Sequence, residues 1–394
     1  MQGPPRKVLL IINALYPGGG AEVQLMHLAA GLAKSGHEVT LCCVDDAHLE
    51  LGPLEATGVE VVKLHAGSRL RRLAALPRLV RLARRAEIVQ CTIWDASLWG
   101  RIAAIVARRP VVVADHSTDR SIHTSAGGAS RQSWIALHNR LLDPFTYATV
   151  SCATEQRQVL ESEGVDARKI VYVPNGLPLA ELEKAAASGL TRAELGLPDE
   201  AGLVMQIGVF REEKNQRGAL GAVAAARAAG ADAHLVFVGD GDEREAVEVR
   251  ARELGADWAH FLGFRADVPA LLALTDLMLQ PSLADAMPMT VLEAMALGVP
   301  VVATDVGDVA AMLDGRAGVT VPVGDEVALG AACTELLADD QRRAEMGRAG
   351  REIAAAFDSA AMVRSYERLF QAACDGKPPI SAVPDTERAA AVAA

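Results

Sequence analysis

The chain has no C-x-x-C pair, no long apolar run, no excess of positive charge and no acids spaced like a metal cage. Each absence removes a class. Its six cysteines, Cys42, Cys43, Cys91, Cys152, Cys333 and Cys374, lie in apolar runs or stand alone, which excludes the zinc and dithiol redox sites that closely spaced thiols build. They read as small core residues in a reducing compartment. The amino-terminal "MQGPPRKVLLIINALYPGG" holds one apolar stretch of about six residues, too short for a signal-peptide core and far short of a bilayer span. The cytoplasm is therefore the expected location. A net charge of −11 argues against nucleic acid as a partner. No internal period of solenoid length recurs.

What is present is apolar bulk in an α/β rhythm. With 51% hydrophobic and 23% charged residues the chain has ample surface to bury, and 394 residues are enough for two domains with separate cores. Short apolar runs alternate with amphipathic stretches: "KVLLII" then "AEVQLMHLAAGLAKSG", "HEVTLCCV", "VEVVKL", "EIVQC", "ASLWGRIAAIVARR", "PVVVAD". Nearly continuous apolar strands between helices predict a parallel sheet covered on both faces. The rhythm restarts after residue 200 with "LVMQIG", "AHLVFVGDG", "LMLQPS" and "VPVVAT", separated by helices from about Gln216, Glu243 and Met289. The predicted organisation is a Rossmann-like domain over 1–174, a linker over 175–200 whose Thr191-x-x-Glu194 capping box suits a short helix, and a second Rossmann-like domain over 201–357. A helix over 358–374, expected to return to the first domain, precedes a Pro- and Ala-rich flexible tail over 375–394.

One segment opposes the overall acidity. "RLRRLAALPRLVRLARR", residues 69–85, carries seven arginines and no acid, with leucines at three-residue spacing and Pro77 as an interruption. It reads either as a surface helix with its leucines on the sheet or as a basic amphipathic helix resting on an anionic membrane at its inner face.

In open parallel sheets ligands bind beyond the carboxyl ends of the strands, so the loops there carry the candidates. In "NALYPGGGAE" the glycines let backbone approach a ligand next to a helix start; the dinucleotide fingerprint fails because its third glycine position is Val23. His116 stands just past "VVVAD". Arg211 and Lys214 follow the strand "LVMQIG", where two cations can clamp a phosphate without a metal. Asp285 precedes, and Glu293 lies one turn inside, a helix whose first amides at Met289, Thr290 and Val291 are oriented for a diphosphate. Two carboxylates so placed suit the hydroxyls of two sugars in one elongated ligand.

Taken in order, "GGGAEVQLMHLAAGLAKSGHEV", "VPNGL", "VFVGDGDER", "HFLGFRADVPALLALTDLMLQPS", "PMTVLEAMALGVPVVATDVGD" and "MGRAGREIAAAFDSAAMVRSYERLF" resemble the retaining glycosyltransferases of family 4. That resemblance implies the GT-B fold, two Rossmann-like domains with parallel sheets facing across a cleft. It assigns Glu293 to the ribose, Asp285 to the transferred sugar, His116 to that sugar's surroundings, Lys214 to phosphate, and Gly19 and Gly20 to the diphosphate. Phe264, Arg265, Ala286 and Met287 are further implied donor contacts. Three positions depart from the family pattern. Asp285 stands where a longer glutamate is usual, Val209 where an arginine is, and Ala311 where a third acid is; Arg211 is the residue expected to replace the missing arginine.

The resulting expectation is a metal-independent, cofactor-free hexosyltransferase moving sugar from a nucleoside diphosphate to a hydroxyl acceptor, closing about the 174–200 segment to exclude water. Two alternatives predict otherwise: a catalytically weakened or non-catalytic sugar-nucleotide-binding partner protein of the same fold, and a dinucleotide oxidoreductase.

Overall fold

The structure, a computed structural model, describes residues 4–16, 18–48, 51–116 and 128–379. Contacts divide the chain into two compact units, one built from residues up to Gly176 together with the segment from Ser359, the other from Leu177–Asp358.

The first unit holds a seven-stranded sheet: β1 (Lys7–Ile12), β2 (Glu38–Cys43), β3 (Glu60–Lys63), β4 (Ile88–Thr92), β5 (Val111–Asp115), β6 (Ala148–Ser151) and β7 (Ile170–Tyr172). Their order is β3-β2-β1-β4-β5-β6-β7, and every pairing is parallel. Alternate residues of β1 serve opposite faces. Leu10 and Ile12 pack with the helices Gly20–Lys34 and Ser359–Cys374, while Leu9 and Ile11 pack with Arg69–Arg85 and Trp94–Ala107. Burial on both faces is why this strand reads as an unbroken apolar run.

The second unit holds β8 (Gly202–Ile207), β9 (Ala233–Val238), β10 (Ala259–Phe261), β11 (Leu277–Gln280), β12 (Val301–Thr304) and β13 (Gly318–Val321). The order β10-β9-β8-β11-β12-β13 is again parallel throughout. In each sheet the first strand lies between its successor and a strand reached by a later crossover, so each has a topological switch point, at β1/β4 and at β8/β11. There the flanking loops diverge and leave a ligand crevice.

Three expectations need correction. Residues 177–200, expected as an interdomain linker, belong to the second unit: the helix Leu179–Ala186 packs on the helices Val268–Leu272 and Met289–Leu297, Leu182 is buried, and Arg192 pairs with Asp276 at 2.8 Å. The capping box forms, Glu194 accepting from the Thr191 amide at 2.9 Å, but only a single 3-10 turn, Ala193–Leu195, follows it. The helix Arg69–Arg85 runs through Pro77, because Pro77 and Leu73 are both on the exposed side, where water can satisfy the carbonyl that proline leaves without a donor. The helix Ser359–Cys374 packs on Gly20–Lys34 through Val363, Tyr366, Leu369 and Phe370. The expected tail beyond residue 379 lies outside the described residues.

Candidate active site

At the β8/β11 switch point two loops are braced against each other by polar groups that sequence reading did not single out. After β8, Phe210 is fully buried against Phe237 and Phe261, so in the extended chain Arg211 leaves on the solvent side. The neighbouring "VGDGD" loop lies close against the backbone after β8: a Cβ on Gly239, held at φ 137°, would fall 2.0 Å from the Gly208 oxygen, so only glycine fits. A short turn then presents Lys214. Asn215, at φ 49°, caps the helix Gln216–Ala228 with its side-chain oxygen on the Gly218 amide at 3.1 Å. Its amide nitrogen donates to the Pro281 oxygen at 3.1 Å, and the Leu283 amide donates to the Glu213 oxygen at 2.8 Å. The Gln206 side chain donates to the Lys214 oxygen at 2.7 Å.

These braces bring Lys214 Nζ onto Asp285 Oδ2 as a hydrogen-bonded ion pair. The same carboxylate oxygen accepts from Gln280 Nε2 at 3.2 Å, and Gln280 also donates to Ser282 Oγ at 2.9 Å. Thr304 Oγ1 donates to the Ser282 oxygen at 2.5 Å. Gln280, Ser282 and Thr304 are buried. From the next loop the Asp308 amide donates to the Ala286 oxygen at 2.9 Å, and Gly307, at φ 54°, leaves no room for a Cβ, which would sit 2.2 Å from the oxygens of both Asp285 and Ala286. The loop carrying Asp285, Ala286 and Met287 is thus held from below and from the side. Its signal in the sequence was present: glutamine, serine and threonine at the ends of otherwise apolar strands.

The helix Met289–Leu297 begins behind Pro288 and has no side-chain cap. The amides of its first turn have no intrahelical acceptor and mark its positive end. Glu293 lies one turn in. Its carboxyl makes no hydrogen bond or ion pair among the described residues, and burial alone pushes its pKa up to about 7. Arg211 is more than half exposed, its guanidinium 3.8 Å from Glu213. Phe264 is exposed beyond β10, and Arg265 beside it is held by Asp267, Nε to Oδ1 at 2.8 Å, which keeps the Asp267 carboxyl below its usual range.

The remaining predicted residues belong to the first unit. Gly19 precedes the helix Gly20–Lys34 and supplies no side-chain cap; a Cβ there would lie 2.0 Å from Glu22 Oε2, so that carboxylate lies over Gly19. Gln24, one turn on, holds the Gly176 backbone by two hydrogen bonds of 2.9 Å. His116 follows β5 and lines a small cavity with Gln24, Gln90, Asn175 and Tyr366. Burial lowers its pKa to about 4 against the opposing pull of Asp115, so the imidazole is neutral near pH 7. Ile93, at the end of β4, is held at φ 65°, a strained conformation for a β-branched residue. Among the described residues no group of three His, Cys, Asp or Glu side chains is arranged to hold a metal ion.

Two open parallel sheets, each with a crevice at its own switch point, define the GT-B class. The solved structure of Anabaena Alr3699/HepE in complex with UDP and glucose is similar with a TM-score of 0.79, covering 92% of this chain and 98% of that one at 22% identity. Sucrose-phosphate synthase from Thermosynechococcus elongatus is similar with a TM-score of 0.77, covering 94% of this chain and all of that one at 20% identity. Residues 19–176 match the family described as "Glycosyl transferase 4-like domain" and residues 189–353 the family "Glycosyl transferases group 1". The chain therefore belongs to the group 1 glycosyltransferases and has their family-4-like amino-terminal domain. It is 32% identical over 255 residues to 2-deoxystreptamine glucosyltransferase of Streptomyces kanamyceticus, across 59% of this chain and 64%, under two thirds, of that relative. It is 28% identical to phosphatidyl-myo-inositol mannosyltransferase of Mycolicibacterium smegmatis across 89% of this chain and 90% of that relative.

Proposed function

We propose that this glycosyltransferase moves a hexose-type sugar from a nucleoside diphosphate donor to a hydroxyl acceptor, with retention at the anomeric carbon and without a metal ion or cofactor. The observation that carries the reading is the Lys214–Asp285 pair at the second unit's switch point, immediately before a helix that starts without a side-chain cap. A cation and a set of first-turn amides beside one another suit a diphosphate. An acid ion-paired to that cation is placed to grip the sugar attached to it. The glucosyl- and mannosyltransferase relatives support a hexose.

In this scheme Glu293 holds the ribose diol as a carboxylate, and Asp285 accepts a hydroxyl of the transferred sugar. Lys214, Arg211 and the amides at 289–291 meet the charge that grows on the departing diphosphate, stabilising the transition state more than the ground state. Gly19 and Gly20 allow backbone contact with the diphosphate. The bond from the anomeric carbon to the diphosphate oxygen breaks, the bond to the acceptor oxygen forms on the same face, and the acceptor's proton passes to the diphosphate. Neutral His116 orients the sugar by hydrogen bonding and takes no part in the proton transfer. The acceptor is assigned to the first unit.

A thermal-shift series with UDP-, GDP-, ADP- and dTDP-sugars tests the donor class. A ligand at about 100 times its dissociation constant adds about 2.7 kcal/mol to the native state, a rise of about 5–10 °C for a unit of this size. Proton NMR of the product's anomeric centre tests retention, and transfer unchanged by a chelator tests metal independence. Inversion, or loss of transfer on chelation, contradicts the scheme.

A further inference from the structure

We propose that the outer helical face of the first unit docks on an anionic lipid bilayer. The helices Arg69–Arg85, Trp94–Ala107 and Gly128–Leu142 are neighbours in that order. All three cover one face of the first sheet. Leu79, Val80 and Ala83 of the first and Ala96, Ala103 and Ala104 of the second pack with Val89, Cys91 and Val111. Ile135 and His138 of the third share a cavity with Val113 and Asp115, which lie on the same side of β5 as Val111. The opposite sides of the three helices therefore form one outer surface.

That surface combines charge and apolarity in an uncommon way. Of the seven arginines in Arg69–Arg85, Arg72 is paired with Asp45 and Asp95. The other six, Arg69, Arg71, Arg78, Arg81, Arg84 and Arg85, are exposed, and their side chains make no ion pair or hydrogen bond among the described residues. In a chain with net charge −11 such a cluster is a concentrated local positive field. Among the arginines stand Leu70, 82% exposed, and Leu73, 58% exposed. On the third helix Trp134, Leu137 and Leu141 follow one another at helical spacing, Phe145 comes just after them, and all four are exposed. Single exposed apolar residues are ordinary, but a stripe is not.

The combination selects the occupant. A nucleic acid would meet the arginines and leave the Trp-Leu-Leu-Phe stripe in water. A second copy of this chain would bring its own arginine cluster to a two-fold interface, where like charges repel. A bilayer with anionic headgroups offers both attraction for the guanidiniums and an interfacial layer for tryptophan and leucine. Docking would bring the unit assigned above to the acceptor onto a surface bearing lipid-linked hydroxyls; that consequence alone rests on the proposed function.

Flotation of the full chain with phosphatidylcholine vesicles, with and without phosphatidylglycerol, tests the docking. The expected result is binding that requires phosphatidylglycerol and weakens with salt. Reversing Arg78, Arg81, Arg84 and Arg85 to glutamate together should lower partitioning by about a hundredfold or more, at several-fold per arginine. Tryptophan emission should shift to the blue on the anionic vesicles, and the shift should be lost in Trp134→Phe. Circular-dichroism melting of each variant, read without any ligand, serves as the folding control for the first unit, where all of these residues lie. Equal binding to neutral vesicles, no binding at all, or a dimer that the same arginine reversals dissolve would overturn the proposal. Vesicle binding is read without donor, so its failure and that of the transfer reading are separate.

Discussion

Replacing Glu293 by glutamine keeps the shape of the side chain and removes a carboxyl that burial has moved from 4.5 to about 7. At ~1.4 kcal/mol per pH unit that rise corresponds to about 3 kcal/mol of difference between the protonation states. The folded pKa lies above the unfolded one, so the folded protein binds more protons between them. The stability from this group is fully present below pH 4.5 and is lost as the pH rises through about 7. The glutamine variant has no such loss. It should match the wild type near pH 4.5 and exceed it above pH 7 by an amount approaching 3 kcal/mol, the wild type having given up about that much. Trp258, the one tryptophan in the sequence of the second unit, is buried and reports that unit's unfolding in urea across a pH series. The same substitution should weaken the donor, because a ribose diol is gripped by the carboxylate, and wild-type donor affinity should rise with pH up to about 7 while the variant's stays flat. A gain in stability at the cost of binding is the expected trade at a ligand site. Parallel stability–pH curves for the two proteins would refute the reasoning.

Lys214→Ala should lower kcat by about 10²–10³-fold with the fold intact, measured by steady-state transfer and circular dichroism. Arg211→Ala should lower transfer by about tenfold or more, and Val209→Arg in that background should restore it; unchanged transfer in Arg211→Ala would remove Arg211 from the diphosphate site. Gly307→Ala places a methyl 2.2 Å from two loop oxygens at φ 54°, so the second unit's unfolding free energy should fall by about 1–3 kcal/mol, and kcat/KM should fall as Asp285 moves. For His116 the folded pKa of about 4 lies below the usual 6.5, so the unfolded chain binds the extra proton. The first unit should lose stability as pH falls from 6.5 towards 4, and His116→Asn should flatten that slope in calorimetric scans.

Both sheets were legible where strands are long and buried on two faces. All but one residue each of "KVLLII" and "AHLVFV" are apolar because helices cover each side. The edge strands β7, β10 and β13 span three or four residues, too few to show a period. The linker was misread because proline and glycine mark where an element ends without saying which core it joins; Leu182 and the Arg192–Asp276 pair decide that through space. Asp285 and Lys214 were singled out from their places after strands and Glu293 from its place one turn into a helix. Their cooperation was not readable: Lys214 and Asp285 are 71 positions apart, and the braces joining their loops run through Asn215, Gln280 and Thr304, which alone look like ordinary polar residues. The outer face of the first unit divided in the same way. The arginine helix announced itself, but the Trp134 stripe acquires meaning only as its neighbour on the sheet.

The central claim is that the second unit grips a nucleoside diphosphate sugar through Lys214 and Glu293. Isothermal titration of the whole chain with UDP-, GDP-, ADP- and dTDP-sugars, repeated on Lys214→Ala and Glu293→Gln, tests it most directly. Saturable heat with at least one sugar nucleotide, weakened by about tenfold or more in each variant, is the result the account predicts. No heat with any of them, or an affinity that neither substitution changes, would contradict it.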